Sequence, residues 1–261
     1  MSALRTVAIS ARLAFRSLFA WNTPALFVIV LLITPLLQMS FFVLLGQSLD
    51  YRNPTYFVIG LALQGATAGS VGGLVSTIAE ERGFGTLLHI VVSPASRVAV
   101  FVGRMAPGVL SAIGVAVLSS VFGLLFVGWP FDGAGSAVFL GAILASSFSG
   151  AALGLCLSSV GLIFRDIYQL ALIAHFALLV LTGATIARGD LPIVLQWVGG
   201  GLPLTHAISA ARRLAEDGVQ ADSAALLGIE LLVGCAWLLL AIALTVVFER
   251  ASRRTGTLDV Y

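Results

Sequence analysis

Residues 24–45 read PALFVIVLLITPLLQMSFFVLL, twenty-two positions without a charge. At a helical rise of 1.5 Å, about 20 apolar residues cross the hydrocarbon core of a bilayer. The run is too long for a signal-peptide core, and no small-residue cleavage pattern follows it, so it is expected to remain as a first span. Working outward, five more apolar stretches follow at 56–79, 98–127, 136–164, 167–187 and 224–248, each closed by a polar or charged segment. Barrel strands need only about ten residues and alternate in polarity, which these stretches do not. The pattern predicts an all-α integral membrane protein with six transmembrane helices.

Composition excludes the soluble alternative. Of 261 residues, 59% are hydrophobic and 10% charged, and the mean hydropathy is +1.06. A soluble domain carries about a quarter charged residues. All fourteen basic residues are arginine and lysine is absent, so a phosphate-binding loop with its lysine cannot be built. Any nucleotide chemistry has to come from another polypeptide. Cys156 and Cys235 lie in apolar stretches and read as small hydrophobes.

Arginines also set an orientation. With the N-terminus inside, the cytoplasmic segments hold ten of them and the outside segments only Arg52, Arg188, Arg212 and Arg213; the excess marks the cytoplasmic side. Six crossings then leave both termini in the cytoplasm. The segment 188–221 contains a charge-free stretch, Leu191 to Ala211, nearly long enough for a seventh span, but Pro192, Gly199-Gly200-Gly201 and Pro203 interrupt it. It is expected to form two short re-entrant helices dipping into the outer leaflet, the second starting at Pro203 and ending near Gly218.

Ahead of the first span, residues 1–20 predict an amphipathic interfacial helix. Leu4, Val7, Ala8, Ala11, Phe15, Leu18 and Phe19 share one stripe, flanked by Arg5, Arg12 and Arg16, with Thr6, Ser10 and Ser17 opposite. The loop 80–97 reads EERGFGTLLHIVVSPASR and is apolar in its middle. A short helix there, capped by Thr86 and ended by Pro94, suits either a groove of a soluble partner or the lipid surface.

Three motifs carry a resemblance. The loop holds Glu80 and Glu81, then Gly85-Thr86-Leu87 with Leu88, then Ser93-Pro94. Before the last span come Leu202-Pro203-Leu204-Thr205, Arg212 and Gly218, and between the fourth and fifth spans Phe164-Arg165-Asp166. In order and position these resemble the ABC-2 type transporter permeases, although the asparagine often preceding the proline is Leu202 here. The resemblance implies a permease subunit of an ABC exporter in a bacterial cytoplasmic membrane. It would dimerise with itself or a second permease and be driven by a separate ATP-binding subunit holding ATP and magnesium. The loop 80–97 would be the coupling helix, and Pro203, Leu204, Thr205 and Arg212 would belong to an extracellular gate. Small amphiphilic cargo, as in antibiotic-resistance members, ranks ahead of polysaccharide or lipid-linked glycan.

Gly65, Gly69 and Gly73 recur every fourth residue, as do Gly150 and Gly154. Such stripes let helices approach closely, either as packing within one subunit or as a sliding surface along the transport path. Glu230, two turns inside the last span, is expensive there unless partnered. It reads as a structural group paired with a hydroxyl or an arginine. The rival class is an ion-coupled secondary transporter using Glu230 and His175. Gln38 and Gln64 are the other polar groups inside spans. No metal-ligand spacing, nucleophile–base pair or other catalytic motif is found, and no bound cofactor is expected on this chain.

Overall fold

Backbone groups that leave water need partners, and a helix supplies them from its own segment. The computed structural model describes residues 3–18, 24–83, 97–161 and 167–255; the apolar stretches are helical, and no strand occurs among the described residues. Helix α1 spans Ala3–Leu18, α2 Pro24–Ser48, α3 Pro54–Gly83, α4 Arg97–Val127, α5 Gly133–Val160 and α6 Ile167–Leu181. A 3-10 turn at Arg188–Asp190 leads to α7 (Ile193–Gly200), α8 (Thr205–Asp217) and α9 (Ala221–Thr255).

Among the described residues, four segments are long and apolar enough to cross a membrane: Pro54–Ser76, Gly108–Val127, Gly133–Val160 and Ala221–Val247. Helices α2 and α6 add the shorter apolar segments Ile33–Ser48 and Ile167–Leu181. The coupling residues Gly85, Thr86, Leu87, Leu88, Ser93 and Pro94, and the motif Phe164-Arg165-Asp166, lie outside the described residues. Glu80 and Glu81 fall near the end of α3.

Helix α3 is the hub, packed between α4 and α5, with α9 along α5, α2 beside α3 and α4, and α6 against α3. Small residues set these contacts. A methyl group at Gly69 would lie 3.1 Å from the Cα of Ala112, and one at Gly73 would lie 3.5 Å from the Cα of Gly108. Gly65 instead faces side chains, a methyl there lying 3.1 Å from Val115 Cγ1. Opposite them, a methyl at Gly150 would sit 2.9 Å from the Cα of Thr67, and one at Gly154 2.9 Å from that of Val71. Both stripes therefore pack within the chain, and except at Gly65 they do so backbone against backbone, where dispersion is strongest. Apolar side chains also cover the outside of the bundle: Leu37, Leu125, Ile173, Phe176, Leu232 and Leu239 are all exposed.

Several boundaries differ from the expected ones. Helix α5 starts at Gly133 rather than 136 because the Asp132 carboxylate accepts the Gly135 amide at 2.6 Å as an N-cap. Helix α6 stops at Leu181, short of 187, where Gly183 takes a φ of +91° that ends the helical path. In α1, Ser10 does not lie on an outward polar side. It is buried, and its hydroxyl donates to the Val100 carbonyl of α4 at 2.8 Å. Gly103 of α4 makes room for this approach, while Ile9 and Leu13 face outward.

Candidate functional site

Helices α7 and α8 are joined by the turn 201–204, in which Gly201 is exposed while Pro203 and Leu204 are buried. The turn meets α9. Glu230, which binds the turn, lies nine residues after Ala221, about 13 Å along the helix at 1.5 Å per residue. Trp237 also reaches the turn, its indole N–H donating to the Gly201 carbonyl at 2.9 Å.

A broken helix exposes carbonyls at one end and amides at the other, and here side chains meet both sets. At the end of α7, Arg188 Nη2 donates to the Gln196 carbonyl at 2.9 Å, a cation placed at a helix C-terminus. The Thr205 hydroxyl donates to the Gly199 carbonyl, and a His206 ring nitrogen lies 3.0 Å from that of Gly200. The Gly201 and Leu202 amides close onto the Val198 and Gly199 carbonyls at 3.1 Å each.

The start of α8 is held by Glu230, which is 0% exposed. Its Oε1 accepts the Leu204 amide at 2.6 Å and the Ser149 hydroxyl of α5. Its Oε2 accepts the His206 and Ala207 amides at 3.1 and 3.3 Å. A carboxylate at a helix N-terminus is favoured by the helix dipole as well as by these bonds. The hydroxyl partner matches the structural reading of Glu230. No arginine takes part; the expectation missed the helix terminus.

Leu204 corrects a second expectation. It is a buried N-cap with a φ of +83°, so α8 starts at Thr205 and Pro203 sits in the turn rather than in the first helical turn. The left-handed conformation costs a non-glycine residue roughly 1–2 kcal/mol. It turns the Leu204 amide towards Glu230, and the carboxylate offsets that strain.

Farther up α8, Arg212 lies flat on Tyr56 of α3, its guanidinium carbon 3.3 Å from the ring centroid. It donates to the carbonyls of Tyr56 and Ala184 at 3.2 Å each. Burial pushes its pKa down to about 10, so it stays charged at neutral pH. Beyond it, Arg213 pairs with Asp222 at 3.4 Å, and Asp190 forms an ion pair with Arg52 at 3.5 Å and accepts from the Tyr51 hydroxyl at 2.6 Å. The α7–α8 segment is thus tied to α3, α5, α9 and the 182–190 turn.

Of the residues singled out from sequence, the structure brings Pro203, Leu204, Thr205 and Glu230 together at the α7–α8 turn, with Arg212 two turns above. Gln64 stands apart: 1% exposed, it donates to the His175 carbonyl of α6 at 3.3 Å. Gly65, Gly69 and Gly73 serve the α3–α4 contact. Ser149, Tyr56, Arg188 and Trp237 were not foreseen. Among the described residues no group of three or more His, Cys, Asp or Glu could hold a metal ion.

Apolar helices on this scale, packed by glycine and tied by buried polar bonds, define a multi-pass membrane protein. The profile of the ABC-2 type transporter family matches residues 9–214, and the chain belongs to that family. It is accordingly a permease component, of the kind that works with an ATP-binding subunit. The matched span ends inside α8 and so holds the α7–α8 turn but not Glu230. No curated protein matches the chain.

Proposed function

We propose that this permease exports a small amphiphilic compound, of the drug or natural-product type, across a bacterial cytoplasmic membrane, and that the α7–α8 segment is its outer gate. The observation that carries the gate is the satisfied break at the turn. Irregular backbone at membrane depth is tolerated only where its polar groups are met inside the protein or by a wet cavity, and here Glu230, His206, Arg188 and Trp237 meet them. The same bonds can pass to water when the turn lifts, which suits a structure that opens and closes.

The reading places six crossings at α2 to α6 and α9, both termini in the cytoplasm, and α1 along the inner surface. The loop 80–97, with Glu80, Glu81, Gly85, Thr86, Leu87, Leu88, Ser93 and Pro94, acts as the coupling helix. It takes the closing of an ATP- and magnesium-binding partner to the bundle, in a dimer of two such permeases. Glu230 fits the gate better than ion coupling, because three amides and a hydroxyl already occupy its oxygens.

Two measurements test this. The permease should bring down a soluble ATPase in fixed stoichiometry when purified from its own cells. Replacing Leu87 and Leu88 together by Asp should abolish amphiphile-stimulated ATP hydrolysis in nanodiscs while membrane insertion stays intact. Unchanged stimulation in that variant would sink the coupling assignment.

A further inference from the structure

One side of α7 opens onto a cavity of about 610 Å³ lined by Arg188, Ile193, Gln196, Trp197, Gly200 and Gly201. That volume is in the range that holds a drug-sized molecule. Ile193, Trp197 and Gly200 recur at helical spacing and so share a face, and the first two are 65% and 78% exposed. The wall is therefore apolar along one side.

The opposite wall is cationic. Arg188 spends one donor on the Gln196 carbonyl, while its Nε–H is shielded from solvent and has no acceptor. Asp190, two residues on, does not neutralise it, because its carboxylate is taken by Arg52 and Tyr51. A guanidinium carries five N–H donors, and the Nη donors that Gln196 does not take can meet an oxyanion in the cavity. An aromatic ring standing free beside those donors offers a large apolar contact for the rest of a ligand.

We propose that this cavity binds an amphiphilic organic anion, its oxyanion head on Arg188 and its apolar body against Trp197 and Ile193. The inference deepens the export reading and rests on it for its biological role. The binding itself needs neither ATPase nor transport, so the two can fail separately.

The test uses the full-length permease in phosphatidylcholine nanodiscs, titrated with dodecyl phosphate, neutral dodecyl maltoside and inorganic phosphate. Dodecyl phosphate should bind at least about tenfold tighter than either, since a hydrogen bond to a charged group is worth about one decade or more. Arg188→Gln should remove that preference while dodecyl maltoside binding is unchanged, and Arg188→Lys should restore part of it. Arg188→Gln also loosens the end of α7, so Trp197→Ala, on an exposed side chain, provides the second arm. It should weaken both dodecyl compounds, by about threefold to tenfold. Repeating the titration in phosphatidylglycerol nanodiscs separates the sources: competition assigns the site to a lipid headgroup, and its absence to a free amphiphile, the oxyanion site standing in both cases. Equal binding of dodecyl phosphate and dodecyl maltoside to the unmodified protein would overturn the proposal. So would inorganic phosphate binding as tightly as dodecyl phosphate, or Arg188→Gln and Trp197→Ala both keeping full affinity.

Discussion

The α3–α4–α5 core and the α7–α8 segment share one apolar cluster, in which Leu204, Ala207, Ile208, Ala211 and Leu214 of α8 pack against α3, but they differ in what is added to it. In the core, Gly69 meets Ala112 and Gly154 meets Val71 with almost nothing between the backbones. Such contacts are lost as soon as the helices part, and water offers nothing in return. At the α7–α8 turn, hydrogen bonds are added: Glu230 accepts three amides, and Arg188 and Trp237 donate to carbonyls, each a bond that water could replace. Close packing therefore holds the core helices to one another, and the α7–α8 segment adds polar ties of a kind that water can replace.

The comparison breaks most severely at Glu230. Glu230→Ala leaves three amides without an acceptor, each buried donor costing about 1–3 kcal/mol, while the Ser149 hydroxyl keeps the Ser146 carbonyl at 3.3 Å. Because the turn can relax and admit water, a total loss of about 3–5 kcal/mol is expected, as for removing one side of a buried charged contact. Hydrogen exchange should locate the effect: the Leu204, His206 and Ala207 amides should lose protection while those of α5 keep theirs. Equal loss of protection in α5 would show that the α7–α8 segment and the core are one unit. Glu230→Gln, which keeps one acceptor oxygen, should fall between.

Next comes the core itself. Gly154→Val places branched carbon against the Val71 backbone, which cannot swing aside as a side chain could. Overpacking of this kind costs about 1–3 kcal/mol, read as a lower unfolding temperature in detergent. Unlike the Glu230 variants, it should leave exchange at the α7–α8 turn unchanged.

Arg212 should have an effect of similar size. Arg212→Ala removes a desolvated cation–π contact worth about 2 kcal/mol or more, together with bonds to two carbonyls that lipid would not replace. Tyr56→Leu loses the same contact and the hydroxyl bond to the Gly183 carbonyl and should cost about 2 kcal/mol. The double variant should cost less than the sum because both lose the same contact. The sign of the pH effect follows from burial. The folded state holds this proton less tightly than the unfolded chain, so stability should rise with pH only above about 10 and stay flat through neutrality on account of this group.

How much of this could be read beforehand depends on the range of the interaction. Helix positions were legible, because a hydrophobic run of helical length is a local property; so were the two pieces of the broken segment, because Pro192, the glycine triplet and Gly218 act where they stand. The glycine stripes announced close packing by their spacing, but not their partners. Ser10 was misplaced because a small hydroxyl reads as polar in a sequence, yet fits a tight helix contact when it can return its proton to a carbonyl. The Glu230 bonds were out of reach: the start of α8 carries no carboxylate of its own, and its acceptor arrives from a residue more than twenty positions later. The unmet amides left by a leucine cap were the available clue, and they point to a missing acceptor without naming it.

The smallest effect is expected at Gly72, and it guards the interpretation of the larger ones. This glycine belongs to the same helix as the packed stripe, one position before Gly73, yet a methyl group there would meet nothing within 4 Å. If the stripe matters through its contacts, Gly72→Ala should not destabilise the bundle. The added methyl should even favour the helix, by up to about 1 kcal/mol, because glycine gives up more backbone freedom than alanine. Gly69→Ala, three residues earlier on the buried side, must push against the Ala112 backbone and should lower the unfolding temperature. A Gly72→Ala variant as unstable as Gly69→Ala would mean that α3 needs glycine for its own bending rather than for its neighbours. The contrast between a closely packed core and a hydrogen-bonded α7–α8 turn would then have to be redrawn around a flexible α3.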